Sequence, residues 1–277
     1  MKYGIVLLIT TLSFSFCSNE NASTKTVSKS DLANNFKQNF IPTLTGSWLI
    51  TDYMTEIEKT KSALKSAGKL QDVVEMITDG KANNDSLEVN VNFNNHEGDG
   101  FMLMNAPGQT PNSYKTDLAD NEISTNFYEL GYELLNKDTF MFLYHYDSGN
   151  KLLDKRQFSR SVYNPTDVNK AGGIQYFVNN KLLAGKYNCT DANNKQYNVQ
   201  FLPDGTAMGF PDVTSYFIFT DFNGGPVPKF DEMFLESENT STNYGFQISG
   251  NTINIYEIAG DEENPELGKM KYKLIKQ

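Results

Sequence analysis

The sequence predicts an all-β protein made of two consecutive β-domains, and three observations support this prediction. Phenylalanine and tyrosine are frequent, with 19 and 15 copies among 277 residues, and such aromatic residues are enriched in strands. Short runs of alternating apolar and polar residues recur along the chain, separated by turns rich in asparagine, glycine and aspartate. A nine-residue pattern that begins at Leu44 recurs from Leu183, which indicates an internal duplication.

The repeated pattern is L-x-G-x-aromatic-x-x-T-D, and the final hairpins of the two halves also begin alike, near residues 138 and 251. Similar starts and similar ends in the same order favour two related domains. The expected units are a domain over residues 44–163, a linker over 164–181 and a second domain over 182–277.

Alternation is clearest after residue 86, where Leu87, Val89, Val91 and Phe93 alternate with polar residues and would share one face of a strand. Many short strands at hairpin spacing would leave unpaired sheet edges, and closure into a barrel removes such edges. The expected architecture is therefore two tandem small antiparallel β-barrels.

Residues 54–79 interrupt the strand pattern, because their apolar residues have helical spacing on both sides of Gly68. The predicted element is a helix–turn–helix inserted directly after strand one of the first barrel, where it would lie across one end as a lid. The apolar residues of the two predicted helices are Met54, Ile57 and Leu64, then Leu70, Val73, Val74 and Ile77.

Residues 18–43 are expected to form a tether that precedes the first domain. Ser30 is a suitable N-cap for a short helix in which Leu32, Phe36 and Phe40 share one stripe. We expect this helix to pack on the first domain or to plug it.

Residues 1–17 are expected to be a signal peptide. An uncharged apolar stretch over residues 4–16 follows the single cation Lys2. A helix of this length would span about 20 Å, which is less than the ~30 Å hydrocarbon core of a membrane. The segment is therefore predicted to be removed rather than to span a membrane.

The sequence around Cys17, followed by Ser18, Asn19 and Glu20, resembles the lipobox of bacterial lipoproteins of the Bacteroidota. The resemblance implies that Cys17 is lipidated and that the lipid holds the chain at the outer membrane of the cell envelope. The acidic residue after the cysteine implies display at the cell surface. Conventional cleavage of a plain signal peptide is the alternative.

The composition disfavours a nucleic-acid partner and leaves a protein partner unknown. The chain carries 24 Lys and Arg against 34 Asp and Glu, and binding to phosphates needs concentrated positive charge. Two cysteines are present; with Cys17 assigned to the anchor, Cys189 has no partner for an intramolecular disulfide. The strand register of the repeated pattern predicts that Cys189 points inward and is inert.

Gly46, Ser47 and Trp48 resemble the G-x-W signature of lipocalin-like (calycin) barrels. The resemblance implies that an arginine of the last strand packs over Trp48 and closes one end of the barrel, with a cation–π contact. Arg156 and Arg160 are the only arginines of the chain, and both lie on the predicted closing strand. In the second domain a tyrosine replaces the tryptophan and no arginine follows.

The first barrel is predicted to bind a small, mainly apolar ligand beneath the helical segment, in the manner that the resemblance implies. The residues predicted to line the cavity are Phe93, Leu103, Phe140, Phe142 and Tyr144. The alternative is that side chains fill both barrels, since eight-stranded barrels are only just wide enough for a small ligand. The chain would then be a non-catalytic surface interaction or structural module for a glycan or a protein.

Catalysis is not expected, and no cofactor or metal is predicted. The chain contains only two histidines, His96 in a polar hairpin tip and His145 between two tyrosines, and neither lies in a recognisable catalytic or metal-binding motif. An enzyme would become the better hypothesis if either histidine met carboxylates in a cleft.

Overall fold

The structure is a computed structural model that describes residues 34–70, 72–83, 85–120, 122–163, 172–222, 228–261 and 263–277. The predicted signal peptide, Cys17, Ser30 and Leu32 lie outside the described residues, as do residues 164–171 of the predicted linker over 164–181. Among the described residues, no helix is both long enough and apolar enough to cross a membrane.

The first half is a closed barrel of eight antiparallel strands in sequential order. Strand β1 pairs with β2 on one side and with β8 on the other, so the sheet has no free edge. The strands are β1 Gly46–Ile50, β2 Val73–Thr78, β3 Ser86–Phe93, β4 Glu97–Pro107, β5 Ser113–Ala119, β6 Phe127–Leu135, β7 Asp138–Tyr146 and β8 Leu152–Arg160.

The helical segment after β1 is shorter than predicted. It consists of α2 (Thr51–Thr60), α3 (Ala63–Ser66) and a 3₁₀ turn (Ala67–Lys69). The prediction of a second helix up to residue 79 is wrong, because Val73–Thr78 forms β2. Every residue of β2 is buried, and a strand buried on both faces shows a continuous apolar run instead of alternation.

A helical segment precedes β1 and occupies one end of the barrel. It comprises a π-helical turn (Phe36–Phe40) and α1 (Ile41–Leu44). Phe36 and Phe40 are fully buried, and the centroids of both rings lie 4.7 Å from the ring centroid of Tyr114 on β5. The apolar stripe of this segment therefore packs into the first barrel.

The second half is an eight-stranded antiparallel sheet in the order β11-β10-β9-β16-β15-β14-β13-β12. The prediction of a second closed barrel is wrong, because the edge strands β11 and β12 do not pair in a ladder. Their segments meet through an isolated bridge between Thr206 and Ser215 and two backbone hydrogen bonds beside it. These strands have two and four residues, too few for a continuous ladder. The strands are β9 Gly185–Asp191, β10 Gln196–Phe201, β11 Ala207–Met208, β12 Ser215–Ile218, β13 Asp231–Glu236, β14 Ser241–Ser249, β15 Thr252–Gly260 and β16 Pro265–Lys276.

The repeated pattern has the same local structure in both halves. The indole N–H of Trp48 donates to the carbonyl of Leu44 at 2.7 Å, and the hydroxyl of Tyr187 donates to the carbonyl of Leu183 at 2.7 Å. The glycine of each copy has a positive φ, +114° and +150°. Only glycine adopts such a backbone readily, which explains why both copies keep it.

Helix α4 (Gly173–Leu182) connects the halves and packs on β1 and β2. Its start approaches the barrel so closely that a Cβ on Gly173 would lie 2.4 Å from Oε1 of Glu75 and 2.9 Å from Cδ2 of Leu49. One hydrophobic cluster extends from the first barrel through α4 into the second sheet.

Each half also supplies a carboxylate to a helix of the other half. Glu75 of β2 accepts the N–H of Gly173 at 2.9 Å, at the start of α4. Asp231 of β13 accepts the N–H of Leu64 at 2.9 Å, at the start of α3. Both carboxylates lie at the positive end of a helix dipole, which favours negative charge.

Candidate functional site

Of the two arginines, Arg160 is the one that meets the tryptophan. Its guanidinium carbon lies 4.3 Å from the ring centroid of Trp48, and the two residues are register partners between β8 and β1. The same guanidinium donates to the carbonyls of Thr45 at 2.8 Å and Thr43 at 2.6 Å. Arg160 thus ties the segment before β1 to the last strand of the barrel.

Arg156 lies four residues before Arg160 on β8 and has other partners. It forms ion pairs with Asp72, which precedes β2, and with Asp154 of β8. The sequence could not choose between Arg156 and Arg160, because they share one face of β8 and only the strand register separates them.

The second half has a counterpart of Arg160 that sequence reasoning missed. Lys276 is the register partner of Tyr187, and its Nζ lies 3.4 Å from the carbonyl of Ala184. The lipocalin-like pattern calls for an arginine, but a lysine side chain reaches the carbonyl of Ala184, which is equivalent to that of Thr45 in the first half. A basic residue of either kind on the final strand was the available signal.

The predicted cavity residues divide between two places. Leu103 is fully buried in the main core, and Phe93 is partly buried against it. Phe142 and Tyr144 instead form a separate cluster with Tyr146, and Phe140 packs against that cluster. The prediction that Phe140, Phe142 and Tyr144 point into the barrel is wrong.

The register of β7 shows why these rings lie outside. Leu143 pairs with Leu130 in the main core, so its neighbours Phe142 and Tyr144, paired with Gly131 and Glu129, have the opposite face. Residues 140–146 read F-M-F-L-Y-H-Y, and every second position on either face is large or aromatic. Alternation alone could not decide which face points inward.

The outer aromatic cluster is covered by polar groups of the chain. The Lys155 ammonium lies 4.0 Å from the ring centroid of Phe142 and forms an ion pair with Glu133. Glu133 also accepts the hydroxyl of Tyr144 at 2.8 Å, and burial together with this carboxylate raises the pKa of Tyr144. The hydrogen bond from Lys155 lowers the pKa of Glu133.

The interior of the barrel is filled by side chains. An internal cavity that admitted water would leave accessible area on the side chains lining it. Instead, the inward-facing side chains of the middle of the barrel are between 0% and 3% exposed: Trp48, Met76, Val89, Phe101, Leu103, Leu130, Met141 and Phe158. On the same face, Tyr128, His145 and Arg156 are partly exposed.

A large cleft lies at the barrel wall, between β8 and the 3₁₀ turn that follows α3. It has a volume of about 640 Å³, which is within the ~300–1,000 Å³ of ligand pockets. Gly68 and Lys69 form one side, and the tip of the β6–β7 hairpin with Leu135 forms another. We call this the wall cleft. Its charged residues are Asp52, Glu133, Asp154, Lys69, Lys155 and Arg156.

Neither histidine is arranged for nucleophilic catalysis. Nε2 of His145 lies 2.8 Å from Oδ2 of Asp120, and the His145 ring stacks on Tyr128 with centroids 4.3 Å apart. The N–H of Ile123 and the Asn126 amide hold the pKa of Asp120 well below its usual range. In the part of the chain that the structure describes, no serine, threonine or cysteine side chain is hydrogen-bonded to either imidazole.

His96 belongs to the contact between the halves. Its Nδ1 lies 2.7 Å from Oδ2 of Asp221, and this hydrogen bond raises the pKa of His96. The neighbouring Asn95 amide donates to the Thr220 hydroxyl at 2.7 Å. Across the described ranges, no group of three or more His, Cys, Asp and Glu side chains is placed to hold a metal ion.

Cys189 is buried on β9, and burial raises the pKa of its thiol to about 12. At neutral pH the thiol therefore stays protonated, and it behaves as an apolar core residue.

Comparison with known proteins found no matching family model, no matching curated protein and no matching solved structure. The class that the structure defines is an antiparallel β-barrel protein with a filled interior, a second eight-stranded sheet and a cleft at the barrel wall.

Proposed function

We propose that the chain is a non-catalytic binding module of the cell envelope that takes its ligand in the wall cleft. The observation that carries the proposal is the contrast between a barrel filled by its own side chains and an open cleft of about 640 Å³ on the wall. A binding site needs a concave surface with a few convergent polar groups, and the wall cleft offers both.

Carriage of an apolar ligand inside the barrel is the competing function, and it requires space. Phe36 and Phe40 occupy one end of the barrel together with Tyr114, so a ligand would have to displace them. Displacing two buried aromatic side chains costs several kcal/mol. The contact of Trp48 with Arg160 and the helical turn before β1 support a lipocalin-like barrel, but the wall cleft is the better ligand site.

The location is part of the proposal. A lipid on Cys17 would attach the module to the outer membrane, with the barrel and the second sheet displayed at the cell surface. The helical segment Phe36–Leu44, which we call the plug, packs into the first barrel. The lipid anchor would therefore be joined to the folded part through the plug.

The test places a reporter in the wall cleft. A Cβ added to Gly68 meets no atom within 4 Å, so the Gly68→Cys variant is expected to fold normally. Because Cys189 is 1% exposed, a thiol-reactive fluorophore will label only the introduced thiol of the mature chain. The matched control is Met270→Cys, at a side chain on the second sheet that is 45% exposed.

Both labelled variants are titrated with saccharide, lipid and protein fractions of the bacterial envelope. We expect at least one fraction to change the emission of the Gly68→Cys label and to leave the Met270→Cys label unchanged. The proposal is contradicted if no fraction changes the emission of either label and native mass spectrometry finds an apolar molecule bound to the chain. That result would favour carriage of a ligand inside the barrel.

A further inference from the structure

The wall cleft carries no net charge. Its lining contains three carboxylates, Asp52, Glu133 and Asp154, and three cations, Lys69, Lys155 and Arg156. Lys155 is paired with Glu133 and Arg156 with Asp154, so four of the six charges already have partners within the lining. An ionic ligand of either sign would gain little attraction here, and the overall charge of −10 further disfavours an anion.

Three polar side chains of the lining remain available to a ligand. In the described part of the chain, Asp52, Lys69 and Gln157 form no side-chain hydrogen bond or ion pair. Together they offer an acceptor, a donor and an amide that does both. A hydroxyl group is both donor and acceptor, so a ligand with several hydroxyls satisfies all three side chains.

The remaining lining is apolar and partly open. Leu135 is 38% exposed at the hairpin tip, and Ile50 and Phe142 contribute to the floor. This combination suits a ligand with an apolar face and polar edges. The lining of the wall cleft is more polar than that of a pocket for a purely apolar molecule, in which only a few polar groups interrupt an apolar lining.

On these grounds we infer that the ligand of the wall cleft is a neutral saccharide, an inference that rests on the proposed function of the cleft. The C–H face of a sugar ring would lie on Leu135, the exposed apolar side chain of the lining, because Phe142 is 3% exposed beneath Lys155. The hydroxyls of the sugar would meet Asp52, Lys69 and Gln157. A neutral peptide also has donors and acceptors, but they are spread along its backbone, whereas a sugar ring carries several hydroxyls close together.

The experiment uses isothermal titration of the mature chain with three probe sets of equal length. They are neutral oligosaccharides of glucose and mannose, oligosaccharides of uronic acids, and uncharged peptides. We expect binding of a neutral oligosaccharide whose Kd changes less than about twofold between low and high salt, because screening acts on net charge. Uronic acids and peptides are expected to bind at least about tenfold more weakly.

Variants locate the binding in the cleft. Gly68→Trp fills open space and is expected to abolish binding, whereas Gln157→Leu is expected to weaken it about tenfold, the loss of one or two hydrogen bonds. The control is Gln247→Leu, an exposed glutamine of a strand in the second half, which should leave Kd unchanged. Binding of neutral saccharides that survives Gly68→Trp would overturn the inference.

The outcomes also separate this inference from the proposed function. If peptides or uronic acids bind in competition with the Gly68→Cys label while neutral saccharides do not, the saccharide is wrong and the cleft remains the site. If no probe and no envelope fraction changes that label, the proposed function itself fails.

Discussion

The contact of Arg160 with Trp48 makes a prediction whose size follows from the structure. Replacing Arg160 by methionine keeps an apolar stem over the indole but removes the cation and the donors to Thr43 and Thr45. A cation–π contact at an exposed site contributes ~0.5–1 kcal/mol. Two hydrogen bonds at ~0.5–1 kcal/mol each, discounted because the guanidinium is exposed to solvent, bring the expected loss to about 1.5–3 kcal/mol.

The assay is urea unfolding followed by fluorescence of Trp48, which is the single tryptophan of the chain and is fully buried. Arg160→Lys should recover part of the loss, because Lys276 fills the equivalent position in the second half. The control Arg156→Met breaks ion pairs with exposed carboxylates, worth ~0–1 kcal/mol, and should leave the emission of the folded state unchanged. The reasoning is refuted if Arg160→Met costs less than about 0.5 kcal/mol, or less than Arg156→Met.

Three further predictions concern the plug and the interface between the two halves. Phe40→Ala should lower the free energy of unfolding by about 3–5 kcal/mol, because the ring is 1% exposed; a loss below about 1 kcal/mol would mean that the plug is not docked. Gly173→Ala should destabilise by about 1–3 kcal/mol despite the better helix propensity of alanine, since its Cβ would lie 2.4 Å from Oε1 of Glu75; thermal unfolding at or above the parent temperature would contradict this. Burial raises the pKa of Glu75 above its ordinary value of 4.5, so the ionised form of Glu75 opposes folding. Stability is therefore highest below the unfolded pKa and falls as pH rises through the folded pKa. Glu75→Gln should therefore stabilise the protein at pH 8 and have little effect near pH 4, and urea titrations that show equal effects at both pH values would count against the assignment.

Protonation of His96 acts in the same direction as that of Glu75. Its raised pKa means that the pairing with Asp221 stabilises the fold fully below the unfolded pKa of about 6.5, and that this contribution is lost as pH rises through the folded pKa. Burial also raises the pKa of Asp231, which caps α3 from the other half. Glu75, His96 and Asp231 all lie at the interface between the halves. The stability of this interface should therefore decrease as pH rises.

Features of the fold that depend only on residues close together in the sequence were predictable from it. The turns and alternating runs predicted a β-rich chain, and a closed antiparallel barrel forms the first half. The repeated pattern predicted corresponding strands, and β1 and β9 make the same glycine turn and the same hydrogen bond from ring to carbonyl. These features are local, because a glycine with positive φ and an aromatic ring four residues beyond a leucine need only their own segment.

The candidate site was much less predictable. Leu103 was predicted to line a cavity and instead packs in the main core, and Phe140, Phe142 and Tyr144 were assigned to the wrong face of β7. The wall cleft is assembled from α2, the 3₁₀ turn, a hairpin tip and β8, which are up to about 100 residues apart in sequence. No pattern within one segment could reveal it.

The sequence by itself determined the β-rich class and the pattern repeated at Leu44 and Leu183. It also narrowed the partner of Trp48 to two arginines, Arg156 and Arg160. Tertiary structure alone decided that Val73–Thr78 is a strand, because α4 packs on it and both of its faces are buried. It also decided which face of β7 points inward and left the second sheet open at two short edge strands. Burial on both faces erases the alternation from which facing is read, so the packing partner supplies information that a single segment does not contain.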